Sequence, residues 1–316
     1  MPSSAPRTVR FVLNPAAAGG RARRQWRRVE SQVRAAFPHA EFHETSAPGE
    51  ATTLAADAAR SGVELLVAIG GDGTLHEVLQ GLMAVDAPER PVLGLVPAGS
   101  GSDFARGVGI PGDPEQALAL LAEGEACAID VGLIDAVDET GQPVRRFFLN
   151  GADVGLGAEV VARMRHMPRL LPAKLAYHLA TVRTLLGYRN PTATLRVDDR
   201  DPYPRAFKSI VVANAPYFGG GMCIAPDAVV DDGELDLVEL GDLGRLEAIR
   251  RLRETYLGGR IAHEDIHYSR CRNLYAESGA RVLIQADGEV VGCLPATFGR
   301  LPSALRVLLP PRSAPT

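Results

Sequence analysis

The sequence predicts two compact parts, a parallel α/β layer followed by an antiparallel β-rich half. Three observations carry this. Short apolar runs alternate with helical stretches over roughly the first 130 residues. Beyond Ala128 the strand-like runs crowd together between turn residues. Glycine-rich loops recur at one place in the pattern, directly after an apolar run.

Val9 to Leu13, Leu65 to Ile69 and Val92 to Val96 are nearly all apolar, as expected of strands buried on both faces. Ala22 to Phe37 and Ala51 to Ser61 have helical spacing and are rich in Ala and Arg. Strand and helix repeated in this way imply a parallel sheet covered on both faces. His76 to Met83 reads as a further helix. Pro111-Gly112-Asp113-Pro114 opens another that Gly124 ends. In the second half the predicted strands are Ile129 to Val137, Arg146 to Val154, Ala193 to Val197, Ser209 to Ala213, Leu235 to Leu240, Leu274 to Ala276 and Arg281 to Gln285. A helical insertion spans Ala158 to Tyr188, and a helix covers Arg245 to Tyr256. The closing run Leu305 to Leu309 is strand-like, which suggests domains of 1–128, completed by 303–316, and 129–302.

With 316 residues, 46% hydrophobic and 23% charged, the chain has the balance of an ordinary two-domain globular protein. A net charge of −4 gives no global reason to expect nucleic acid. Met1 to Arg10 lacks the apolar core of a signal peptide, and no apolar run approaches the roughly 18 residues of a membrane span. Cys127, Cys223, Cys271 and Cys293 are scattered without a CxxC pair, as in a reducing cytoplasm.

Gly70-Gly71-Asp72-Gly73-Thr74 sits between a buried strand and a helix, where glycines allow sharp turning and close approach to a ligand. The N–H groups of a helix start favour phosphate. Asp72 could hold Mg²⁺ or steer an attacking hydroxyl, and Thr74 could donate to a phosphate oxygen. The loops Asn14 to Gly20 and Pro97 to Arg106 follow strands in the same way. In a parallel sheet all three lie at one edge, where ligands bind. The pattern is neither a Walker A loop nor a dinucleotide fingerprint. Arg21, Arg23, Arg24, Arg27 and Arg28 could reach phosphates or simply form a solvated helix face.

Gly70 to Thr74, with Glu77-Val78, resembles the nucleotide loop shared by diacylglycerol, sphingosine, ceramide and NAD kinases and phosphofructokinases. Asn14-Pro15, the Pro97 to Arg106 stretch, Ala225-Pro226-Asp227 running into Asp231-Asp232-Gly233, and Asp287-Gly288-Glu289 narrow the resemblance to bacterial diacylglycerol kinases and YegS-like lipid kinases. The resemblance implies a phosphofructokinase- and NAD-kinase-like nucleotide domain and a β-sandwich that carries much of the lipid site. It places ATP contacts on Asn14, Pro15, Ala16, Ala17, Ala18, Thr45, Gly70, Gly71, Asp72, Gly73, Thr74, Leu75, His76 and Ser100. It places Mg²⁺ at Val229, Asp232 and Glu234, a substrate contact at Asp103, and the proton acceptor at Glu289 or Asp287. The chain departs from the pattern at His76, where Asn is usual, at Ser100 and Ser102, where Thr and Asn are usual, and at Ala18, where Gly is typical.

From spacing alone Asp287-Gly288 reads as a hairpin turn, and a hairpin tip can also project a carboxylate. Asp231-Asp232-Gly233 has the same two readings, with oxygen ligands suited to Mg²⁺. No acid occurs between Val160 and Asn190, where Arg163, Arg165, Arg169, Lys174, Arg183 and Arg189 accompany apolar residues including Leu170, Leu171 and Leu175. This basic amphipathic insertion is expected either to touch anionic lipid or to cover the sheet. The overall expectation is a cytoplasmic enzyme, peripheral at the inner membrane face, with ATP and Mg²⁺ in an interdomain cleft. A lipid hydroxyl, oriented or deprotonated by Glu289, Asp287 or Asp72, attacks in line. A homodimer is compatible with the sequence. The rival readings are a soluble-substrate kinase and a nucleotide-binding protein without turnover.

Overall fold

The computed structural model describes residues 8–99, 101–164, 167 and 173–311. They form two units, Met1–Asp130 with Pro302–Thr316, and Val131–Leu301.

The first unit contains β1 (Val9–Leu13), α1 (Ala17–Ala36), β2 (Glu41–Glu44), α2 (Glu50–Arg60), β3 (Leu65–Gly70), α3 (Asp72–Met83), β4 (Val92–Pro97), α4 (Asp103–Gly107) and α5 (Pro114–Glu123). The parallel strands lie in the order β4-β3-β1-β2. All six residues of β3 are buried, as its unbroken apolar run predicts. On α1 the buried residues Ala22, Trp26, Val29 and Val33 form one helical stripe, and Phe11 stacks on Phe42 at 4.9 Å beside Trp26. The five arginines beside the first loop stand on its exposed face, where Arg23 pairs with Glu44 at 2.8 Å. α3 begins at Asp72, four residues before the predicted start, because the glycine loop runs straight into helix. α5 starts on Asp113, whose Oδ1 accepts the N–H groups of Glu115 and Gln116.

A strand β5 (Glu125–Val137) carries the chain into the second unit. There follow β6 (Pro143–Phe148), β7 (Gly151–Gly155), α6 (Leu156–Met164), α7 (Ala173–Gly187), β8 (Thr192–Val197), β9 (Tyr203–Ala206), β10 (Ser209–Ala213), β11 (Tyr217–Phe218) and β12 (Met222–Cys223). The chain continues with β13 (Leu235–Leu240), α8 (Arg245–Glu254), β14 (Ile266–Cys271), β15 (Leu274–Glu277), β16 (Leu283–Ala286) and β17 (Glu289–Leu309). One antiparallel layer runs β14-β13-β10-β7-β16-β17, and β17 also pairs with β15 and β5. Alternate residues such as Val154, Ile210, Leu237 and Ile284 meet Leu195, Leu274 and Phe298 in a common core. The opposite face of the first layer is covered by α6, α7 and α8.

The run predicted as one strand from Arg146 to Val154 is two strands. Leu149 and Asn150 leave the ladder because the carboxylate of Asp287 takes their N–H groups. The final part of β17 lies parallel to β4 with Val307 opposite Leu93, so the closing apolar run completes the first unit's sheet.

Candidate active site

In the first unit, Leu13 is aligned with both Glu44 and Ile69, and Gly70 with Pro97, so the four loops after β1, β2, β3 and β4 emerge at one sheet edge. Successive strands are added outward in opposite directions from β1 and β3, which makes the gap between their loops the switch point where ligands bind in such sheets. Hydrogen bonds knit this edge together. Asn14 Nδ2 donates to Thr74 Oγ1 at 3.1 Å, and Asn14 Oδ1 accepts the N–H of Ala16. Thr45 N–H donates to Leu13 O at 2.8 Å, which seats Thr45 beside the first loop. Phe104 N–H donates to Asp72 Oδ1 at 3.3 Å, tying the start of α3 to that of α4.

Sharp turning does not explain the glycines after β3, since Gly70, Gly71 and Gly73 have no positive φ. Close approach does. A Cβ on Gly70 would fall 2.4 Å from Thr74 Oγ1, and one on Gly99 would fall 2.6 Å from Gly71 Cα. No side chain caps α3, so its first N–H groups open onto the loop edge. Left-handed backbone belongs instead to the first loop, at Ala18, Gly19 and Gly20, beyond Pro15, Ala16 and Ala17. Thr74, Leu75 and His76 are buried in α3, so His76 reaches inward, and Asp103 is buried at the start of α4. Ser100, Arg165, Arg169, Leu170 and Leu171 lie outside the described residues.

In the second unit, β16 and β17 form the expected hairpin around Asp287 and Gly288, both with positive φ. The two carboxylates beside this turn differ. Asp287 accepts N–H groups from Leu149 at 2.8 Å, Asn150 at 2.9 Å and Gly151 at 3.2 Å. Glu289 stands exposed on the hairpin.

Next to the hairpin is a feature that sequence reasoning missed. An apolar cavity of about 120 Å³ lies between the sheet and the three helices, lined among others by Val160, Leu185, Val211, Phe218 and Leu252. Its polar lining includes Asp153, Ser209, Gln285 and Gly288. Asp153 and Gln285 face each other across β7 and β16, each 2% exposed, and Gln285 Oε1 accepts the N–H of Gly288 at 2.9 Å. Burial pushes the Asp153 carboxyl up to about 7, against the opposing hydrogen bonds from Ser209 and the Gly157 N–H. Its Oδ1 has no hydrogen-bond partner among the described residues. A Cβ at Gly157 would fall 1.6 Å from Oδ2, so any larger residue there would have to displace the Asp153 carboxylate. The available signal was an acid inside an otherwise small and apolar strand, Gly151-Ala152-Asp153-Val154-Gly155.

Asp232 and Glu234 are neighbours, but Arg270 lies 3.2 Å from one carboxylate and 3.5 Å from the other, while Val229 is 43% exposed. Glu234 N–H closes a turn on Asp232 Oδ1, and Arg300 Nε donates to Gly233 O. The oxygen donors suit Mg²⁺, yet a guanidinium already supplies the countercharge. The set therefore fits a metal poorly as it stands. Among the described residues no three His, Cys, Asp or Glu side chains converge as metal ligands. Cys127, Cys223, Cys271 and Cys293 are free thiols.

Residues 8–134 match the diacylglycerol kinase catalytic domain, and residues 151–309 match the YegS C-terminal NAD kinase beta sandwich-like domain. The chain belongs to the diacylglycerol kinase and YegS-like lipid kinase family. A diacylglycerol kinase of Bacillus subtilis is 29% identical to the kinase over 311 residues, covering 97% of each chain. A diacylglycerol kinase of Staphylococcus saprophyticus is 27% identical over 305 residues, covering 96% of this kinase and 95% of its own length. The crystal structure of a Bacillus anthracis diacylglycerol kinase superposes with a TM-score of 0.75 at 22% identity, covering 98% of the kinase and 99% of that chain. Yeast NADH kinase shares the fold at a TM-score of 0.56 and 10% identity, over 97% of the kinase and 84% of that chain.

Proposed function

We propose that the kinase transfers the γ-phosphoryl group of ATP, supplied as its magnesium complex, to a lipid hydroxyl, converting diacylglycerol to phosphatidic acid. The observation that carries this is the apolar cavity in the second unit, whose polar end adjoins the Asp287–Glu289 hairpin. An acyl chain is the ligand such a lining suits, and a neutral Asp153 can donate a hydrogen bond to an ester or hydroxyl oxygen beside it. A soluble phosphate acceptor would gain nothing from that lining.

In the first unit, the start of α3 and the Asn14–Thr74 pair hold the triphosphate, with Asp72 steering the donor end. In the second, Glu289 takes the hydroxyl proton as the lipid oxygen forms its bond to phosphorus. The bond from phosphorus to the β,γ-bridging oxygen breaks, and ADP leaves with that electron pair. Positioning and charge neutralisation supply most of the acceleration in such transfers. The kinase works at the membrane surface, with the helical insertion as a contact. Among the described residues no helix is long and apolar enough to cross a bilayer.

The test is a panel of purified lipids and cell lipid extracts incubated with labelled ATP. Label in phosphatidic acid from diacylglycerol is the expected outcome. Label in NAD with none in any lipid would replace this reading with that of a soluble-substrate kinase.

A further inference from the structure

From sequence alone Arg245 to Tyr256 reads simply as a helix, but the surface of α8 is unusual. Leu246 is 85% exposed and Leu257, just past the helix end, 84%. Ile249, Arg250 and Arg253 are exposed with them, and the spacing 246, 249, 250, 253, 257 traces one face of a helix. No acid lies on that stripe. The helix's two acids sit around its side and are both engaged by Arg251, Glu247 at 2.6 Å and Glu254 at 3.0 Å. Arg250 and Arg253 have no acidic partner among the described residues. The inward face is different again, since Ala248, Leu252 and Thr255 line the apolar cavity.

Helix α7 repeats this design. Leu179, Val182, Arg183 and Leu186 are exposed at spacings of three and four, again with no acid, while Thr181 and Leu185 line the same cavity. Two separate helices of one unit therefore each wall the cavity inside and carry outside a stripe of aliphatic side chains and arginines without an acid. A solvated face would mix signs of charge, and a buried protein interface would deplete charge at its centre. Apolar side chains interleaved with cations suit the headgroup layer of an anionic bilayer.

We infer that the outer stripe of α8 docks the kinase on an anionic lipid surface, as a second contact beside α7, so that both cavity walls rest on the bilayer that supplies the acceptor. The inference rests on the lipid-kinase reading only for the use of the cavity, and docking can be measured without turnover.

The experiment compares the full-length kinase with Arg250→Gln/Arg253→Gln and with Leu246→Ser/Leu257→Ser. All four side chains are exposed, so both variants should keep the wild-type circular dichroism and turnover of a soluble short-chain diacylglycerol. Co-sedimentation is measured with vesicles of phosphatidylcholine alone and with one-third phosphatidylglycerol, across a salt series. The arginine variant should bind anionic vesicles at least tenfold more weakly at low salt, with the gap closing as salt rises. The leucine variant should bind more weakly at every salt concentration. Wild-type binding by both variants would overturn the inference while leaving the kinase reading intact. Loss of binding in the variants, with no lipid phosphorylated even by wild type, would support docking and sink the kinase reading instead. Sedimentation velocity covers the remaining occupant. A wild-type dimer that Leu246→Ser/Leu257→Ser converts to monomer, with vesicle binding unchanged, would assign the face to a second copy and overturn the inference.

Discussion

With three main-chain N–H groups on its carboxylate, Asp287 holds the break between β6 and β7 in place, whereas the proposed function gives the proton-acceptor role to Glu289, exposed on the hairpin. The two residues should therefore fail differently when changed. Glu289→Gln should lower kcat by about a hundredfold or more, the scale of losing one general base, and leave Tm unchanged. Asp287→Ala strands three donors at about 1–3 kcal/mol each and should lower Tm by at least about 5 °C. Equal Tm values and a kcat loss confined to the Asp287 variant would reverse the assignment. Asp153 makes a different prediction. Its carboxyl is raised by burial from 3.8 to about 7, so between those values the folded state keeps a proton that the unfolded chain has released. Stability contributed by this group is complete below about pH 4 and is lost as pH rises through about 7, at up to about 1.4 kcal/mol per pH unit. Asp153→Asn should flatten that slope. Urea unfolding at pH 5 and pH 7.5 measures it, and an unchanged slope would place the ionisation elsewhere.

Among the elements, the loop edge of the first unit depends on contact between glycines. Gly71 has an extended backbone that any residue adopts, so Gly71→Val is resisted by packing and not by φ. Its Cβ would already lie 3.0 Å from Gly99 Cα, before the two methyl groups are added. The variant should push the loops after β3 and β4 apart and abolish ATP binding in calorimetry, with native far-UV circular dichroism. Retained micromolar affinity would put the phosphates elsewhere. These elements were legible in the sequence because their signals are local. An unbroken apolar run marks β3, Asp113-Pro114 marks the start of α5, and Asp287-Gly288 marks a hairpin. The break at Leu149 and Asn150 was not legible, since its cause lies 138 and 137 residues away. The cavity was missed for the same reason. Its lining comes from a strand face and three helices that only the folded chain brings together.

For the molecule as a whole, the last strand is the element with most consequence. Past Leu301 it supplies Val307 opposite Leu93, the Ala304 carbonyl that accepts from Arg90 Nη1 at 2.8 Å, and the Ser303 N–H that donates to Asp130 at 2.7 Å. A chain stopped after Leu301 should keep the second unit's fold and lose thermal stability in the first. ATP-dependent protection from proteolysis should disappear with it. A truncated chain that bound ATP with wild-type affinity would show that the first unit needs no closing strand. In the sequence this strand shows only as the apolar run Leu305 to Leu309, because strand pairing between distant segments leaves no local mark.

That closing strand also orders events at the ribosome. Most of the first unit is translated before the second, but the strand that finishes its sheet is translated after it. While residues 131–301 emerge, the earlier segment waits with the edge of β4 unpaired, an edge able to pair with other chains. The unit begun before residues 131–301 is thus finished only after them. A prematurely terminated product would carry the loops after β1 to β4 without the strand that completes their sheet.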